Sequence, residues 1–260
     1  MTTPSIAPAA PQQDPGALAP LHHQIASAQV LFAQILTSAV RNGPVSVDQY
    51  CRYLTMQYHL TQDVQAYFFA IAANSALAKR RKLRRFLTDF ANEEELHYLI
   101  AGKDLLALGR KPLAEPFDVT LWHSHFRSVV ATRPFLRLGA AAVLENISAG
   151  AALAPVHQAL SAPFMTKDNT KFLVLHQHET LPHGDQMLDA LAAETFTAPE
   201  LADLFLGARQ GTVMYLRMAK WAVDENEISA CADTGAREIS STQTRDIQEF
   251  DLSQLNSAQE

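Results

Sequence analysis

Cysteine is scarce in this chain of 260 residues: Cys51 and Cys231 are the two, far apart and in no metal-ligand spacing. That excludes a disulfide framework as the organising device and makes a reducing, cytoplasmic compartment the expectation. Strand signals are almost absent. The apolar run Phe172-Leu173-Val174-Leu175 is short and continues into a helical pattern, so it reads as helix. No apolar run reaches the about 18 residues that a membrane span needs, so no membrane partner is expected. An excess of positive charge is lacking too. The formal net charge is -6, which leaves no electrostatic footprint for nucleic acid. The one basic cluster, Lys79-Arg80-Arg81-Lys82 with Arg84 and Arg85, reads as a solvated turn and helix face. Residues 1–19 have neither a basic n-region nor an apolar h-region and read as a disordered lead-in rather than a signal peptide. What is present is apolar: 48% of residues are hydrophobic and 18% charged, enough for a sizeable core and against global disorder.

Glycine and proline punctuate a series of long helical patterns. The first covers about 21–40 and stops at Asn42-Gly43-Pro44. Ser46 opens the second, with Gln49 at capping-box spacing, and the pattern continues to about Ala73. A third covers about 79–108 and stops at Gly109. A fourth, capped by Asp118 or Thr120, must end before Pro134. The fifth covers about 134–160, and its Gly139-Ala140-Ala141-Ala142 would let neighbouring helices approach closely. The sixth covers about 168–193. Thr197, Pro199 and Glu200 start a seventh that reaches about Val223. The expectation is therefore an all-α, seven-helix bundle in a single domain over 20–227, followed by a flexible polar tail over 228–260.

Polar residues embedded in apolar helical stretches carry the functional signal, because a charged group seldom enters a core unless it is paired or holds a metal. Glu94 and His97, in Glu93-Glu94-Glu95-Leu96-His97, have the Glu-x-x-His spacing that chelates iron or manganese in helical bundles. Glu145 is a lone carboxylate among Ala140-Ala141-Ala142-Val143-Leu144, where burial is costly without compensation. His176, Glu179 and His183 fall at i, i+3 and i+7, on one face over two turns. Imidazole together with carboxylate suits iron. His59 and Asp63, one turn apart, are an extra ligand pair, an orienting pair or a capping contact, and the spacing does not choose among these.

In this order the segments resemble the haem-oxygenase-like diiron oxidases and oxygenases, over about residues 21–225. In that family one helix supplies a Glu and a His, a later helix a Glu, and a last helix His-x-x-x-Asp-x-x-His. The resemblance implies metal ligation by Glu94, His97, Glu145, His176 and His183, with Glu93 as an alternative to Glu94. The family's Asp position holds Thr180 here. Glu179 is one residue earlier and longer, and Pro182 in the same stretch could introduce a bulge that turns Glu179 inward. The implied cofactor is two Fe(II) per chain with O2 as co-substrate. The implied activity is oxidation of a small, amino-acid-derived substrate in a biosynthetic pathway, and a homodimer is compatible with this picture. An amino-acid-like substrate would need a carboxylate partner, for which Arg133, Arg137 and Arg209 are available. A rival on the same fold resembles the metal-free thiaminase-like hydrolases and cofactorless quinone-forming oxidases, with Cys51 as the thiol to test. A haem-binding oxygenase is disfavoured, because His22-His23 match its early axial His poorly.

Overall fold

Helix boundaries follow caps and turn residues, and two of them fall where neither glycine nor proline signals a stop. The computed structural model describes residues 16–41, 43–149, 161–177, 183–223 and 238–253, the side chains of His176 and Gln177 excepted. Among these residues every regular element is helical. Helix α1 (Ala19–Val40) carries Pro20 at its start and buries Leu21, Ile25, Ala28, Phe32 and Leu36, one apolar stripe at helical spacing. The Ser46 hydroxyl accepts from the Gln49 N–H while the Gln49 side chain accepts from the Ser46 N–H, so the expected capping box opens α2 (Val47–Thr61).

The expected second helix breaks after Thr61. Asp63 starts α3 (Val64–Ala73), and its carboxylate leaves the helix to meet Arg127 at 2.6 Å. Asn74 caps a 3-10 turn (Ser75–Leu77) before α4 (Arg81–Glu93). The expected third helix breaks as well. Glu94, Glu95 and Leu96 form a turn, and α5 (His97–Ala107) begins beyond it. Then come α6 (Phe117–Val129) and α7 (Pro134–Asn146), the latter with proline at its first position as expected. Helix α7 ends at Asn146, and residues 150–160 of the expected longer helix lie outside the described residues.

Helices α8 (Lys171–Gln177), α9 (His183–Ala192) and α10 (Ala198–Val223) follow. Residues 178–182 of the expected sixth helix lie outside the described residues. The bundle therefore has more than seven helices among the described residues. One of these, α11 (Ser241–Glu249), corrects the expectation of a flexible tail for its own span. Ser240 and Gln243 form a second capping box, Ile247 is fully buried against Gly102 of α5, and Lys103 Nζ donates to Gln248 O at 2.8 Å. The expected disordered lead-in lies, for residues 1–15, outside the described residues.

Two apolar clusters hold the bundle. The larger runs through α1, α3, α4, α6, α7, α9 and α10; the smaller gathers Tyr50, Cys51, Leu54, Tyr58, Leu99, Leu105, Phe172 and Ile247. Each fully buried Leu or Phe contributes about 1.5–3 kcal/mol. Helices α7 and α10 touch backbone to backbone. A Cβ on Gly139 would lie 2.0 Å from Leu204 O, and one on Gly207 would lie 1.8 Å from Leu136 O. Side-chain-free positions at both sides of the crossing let α7 sit deep in the bundle, and Arg137 and Glu145 travel with it. Among the described residues no helix is long and apolar enough to cross a membrane.

Candidate metal centre

The turn between α4 and α5 builds the first part of the site. Leu96 has φ 70°, the one non-glycine residue among those described with a positive φ. For a branched side chain that conformation is strained by about 1–2 kcal/mol, so packing around it has to hold it in place. Its effect is to interrupt the helix over three residues, so that Glu94 closes α4 and His97 opens α5. Glu94 and His97 therefore do not share one continuous helix face, as the spacing implied. They meet across the turn, with His97 Nδ1 3.0 Å from Glu94 Oε2.

The first residue of α9 supplies the second part. His183 Nδ1 lies 2.9 Å from Glu94 Oε1, and its Nε2 lies 3.4 Å from Glu93 Oε2. The Glu94 carboxylate thus stands between two imidazoles whose rings are 6.4 Å apart and within 10° of parallel. Burial opposes ionisation of Glu94, but the nearby His97 charge and hydrogen bonds from His183 and His97 outweigh it and hold the carboxyl well below its ordinary value. Glu94 is consequently an anion in a buried site. Glu145 of α7 supplies the third part: one ligand atom each from Glu94, Glu145 and His183 lie within 4.8 Å of one another.

Other groups fix these ligands. Asn146, beside Glu145, donates from Nδ2 to Ala142 O at 2.8 Å and to Gly184 O at 3.2 Å, which ties the end of α7 to the start of α9. Gly184 is required there, because a Cβ would lie 2.4 Å from Asn146 Oδ1. Gln29 of α1 donates to Asn146 O at 2.8 Å. The Phe90 ring packs edge-on against His183 with centroids 4.6 Å apart and shields the imidazole from water.

Of the residues expected to ligate metal, Glu94, His97, Glu145 and His183 come together. His176 lies in α8, but its side chain is outside the described residues, as are Glu179, Thr180 and Pro182. Glu93 is exposed at the edge of the site, 3.4 Å from His183, whereas Glu94 is buried within it. His59 and Asp63 do not join. His59 Nε2 meets Leu113 O at 2.9 Å, and Asp63 pairs with Arg127. Cys51 is buried in the smaller core and burial pushes its thiol up, the opposite of what an attacking thiolate needs. Arg133 is paired with Asp203 at 2.6 Å and Arg209 is exposed, while Arg137 is fully buried. Sequence reasoning missed Asn146, Gly184 and Gln29. The Glu145-Asn146 pair at the end of an apolar stretch was the available signal.

No family model matches the chain, and no curated protein does. A solved structure does: a domain of unknown function with a heme oxygenase-like fold from Shewanella denitrificans OS217, with a TM-score of 0.70 and 18% identity, covering 85% of this chain and 98% of that chain. The chain has a haem-oxygenase-like fold. On this haem-oxygenase-like frame His22 and His23 are both exposed on α1, which leaves neither as a buried axial ligand. The buried polar cluster lies instead where α4, α5, α7 and α9 converge. Its donors, two carboxylates and two imidazoles, are groups that bind divalent transition metals.

Proposed function

We propose that this protein is a non-haem diiron, O2-dependent oxidase or oxygenase acting on a small organic substrate. The observation that carries this reading is the approach of Glu94, Glu145 and His183 ligand atoms to within 4.8 Å from three separate helical segments, with His97 Nδ1 3.0 Å from Glu94 Oε2. Two carboxylates this close in a largely buried region repel one another unless protons or cations sit between them. Glu94, His97, Glu145 and His183 would hold the metal, and His176 and Glu179 are the further ligands that the family resemblance implies. Bound ferrous iron would supply the electrons and the coordination position that dioxygen needs for activation.

The chain's own residues do the rest. Glu94 stays ionised through its two histidine neighbours and so offers both oxygens. Asn146 and Gly184 hold the first residue of α9 against the end of α7, which keeps His183 aimed at Glu145 and Glu94. Phe90 covers the imidazole and excludes water from that side.

The test is anaerobic loading with ferrous ion, elemental analysis, and optical spectra on admission of air. About two irons per chain are expected in the native protein. His183→Ala and Glu94→Gln should lose iron while the far-ultraviolet circular dichroism stays helical, because both residues sit at helix ends rather than in helix interiors. A native protein that retains no iron, or an unchanged iron content in His183→Ala, overturns the proposal.

A further inference from the structure

Arg137 is a fully buried guanidinium in the first turn of α7, and its Nε, Nη1 and Nη2 have no hydrogen-bond partner among the described residues. It is enclosed by aromatic rings. Its Cζ lies 4.9 Å from the centre of Tyr67, 5.8 Å from Phe68, 5.4 Å from Trp122 and 5.2 Å from Phe126. Cation–π attraction offsets part of the lost hydration but satisfies none of the in-plane N–H groups. The Trp122 Nε1–H is buried and unpartnered as well. The Tyr67 hydroxyl is turned elsewhere, onto His123 Nδ1 at 3.1 Å. Every orphaned polar atom in this box is therefore a donor. Donor-only, desolvated surroundings of a fixed positive charge are complementary to an oxyanion, and a planar guanidinium matches a carboxylate in two-point geometry.

The box also adjoins the metal centre. Phe68 packs edge-on against Phe90 at 4.8 Å, and Phe90 packs against His183 at 4.6 Å. Along α7, Arg137 and Glu145 are eight residues apart, a rise of about 12 Å. Phe68 and Phe90 thus form an aromatic path from the guanidinium to His183.

We infer that Arg137, with the Trp122 indole N–H, is an anion-binding subsite that takes the carboxylate of an organic molecule whose remaining body is apolar. This rests on the reading of the neighbouring cluster as a catalytic centre, since it makes the bound carboxylate the handle of the substrate. It explains why an ion with no hydrogen-bond partner among the described residues is kept in the core. Burial pushes the Arg137 guanidinium down to about 10, which still leaves it charged at neutral pH.

The test measures equilibrium binding of phenylacetate, phenylacetamide and acetate to the full-length, metal-free protein by titration calorimetry. Phenylacetate should bind, with phenylacetamide and acetate each weaker by about tenfold or more. Arg137→Met, which keeps the side-chain volume, should weaken phenylacetate by about 10- to 100-fold, the usual range for a hydrogen-bonded charge. Because that variant could fail to fold, Trp122→Phe serves as a second arm, with an expected loss of about 3- to 10-fold. Equal affinity for acid and amide, equal affinity for acetate and phenylacetate, or an unchanged affinity in both variants overturns the inference. Iron content of Arg137→Met separates this result from the diiron reading. Normal iron with lost phenylacetate supports the subsite, and normal iron with no phenylacetate binding in the native protein overturns the subsite alone.

Discussion

Replacing Gly207 by alanine tests the packing that places α7, and the geometry gives both the sign and the size of the effect. The added Cβ would lie 1.8 Å from Leu136 O and 2.6 Å from Leu136 C. A relaxed carbon–oxygen contact is about 3.3 Å, so the two helices would have to separate by roughly 1.5 Å at the crossing. The obstacle is backbone and cannot rotate away. Alanine gains about 1 kcal/mol in intrinsic helix propensity, but overpacking costs about 1–3 kcal/mol, and a gap of this size forfeits a large share of the dispersion energy along the seam. We expect a net loss of about 2 kcal/mol. Gly102→Ala is the matched control. Its Cβ meets side-chain atoms of Ile247 at 2.9 Å rather than backbone, a milder clash, so the net loss should be smaller, about 1 kcal/mol or less. Urea denaturation followed by circular dichroism measures both. Displacement of α7 also moves Glu145, so Gly207→Ala should bind iron more weakly than Gly102→Ala. A Gly207→Ala protein as stable as the native one would refute the close crossing and the placement of Glu145 that depends on it.

Asp104 is buried, and burial, set against hydrogen bonds from the Phe172 and Lys171 N–H groups, leaves its carboxyl raised to about 6. A raised carboxyl favours the folded state while protonated, and that contribution is lost as pH rises through about 6. Asp104→Asn retains an acceptor for the Phe172 N–H and should be more stable than the native protein by up to about 3 kcal/mol above pH 7, with the gap closing below pH 4. A stability difference independent of pH refutes this. Arg80 donates to both Glu200 oxygens at 3.0 and 2.8 Å and to Thr195 O at 2.9 Å, and lies over Phe135 and Phe196. Arg80→Lys should lose about 1–2 kcal/mol despite keeping the charge, because an ammonium cannot reproduce the fork or the stacking. Denaturation curves that coincide with the native protein would contradict this.

The basic cluster around Arg80 shows how local reading and tertiary structure divide. Pattern alone put Lys79, Arg81, Lys82 and Arg85 on a solvated face, and they are exposed; it could not single out Arg80, which bonds Thr195 and Glu200 more than a hundred residues away. The same holds for arginines 133, 137 and 209. They looked equivalent in the chain, and they differ because one faces Asp203, one faces four aromatic rings and one faces solvent.

From the chain alone came the helical class, the capping box at Ser46, the proline start of α7, the small residues at its crossing and the choice of Glu94, His97, Glu145 and His183. These depend on spacing, on local hydrogen bonds and on the penalty for an isolated carboxylate in an apolar stretch, all readable within a few residues. The tertiary structure decided the breaks at Gln62 and Leu96, the docking of α11, the clamp by Asn146 and the isolation of Arg137. A helix with no glycine or proline stops when packing elsewhere outweighs the next backbone bond, and a buried ion is recognised by what surrounds it. Both are properties of contacts between distant segments, which no local window contains.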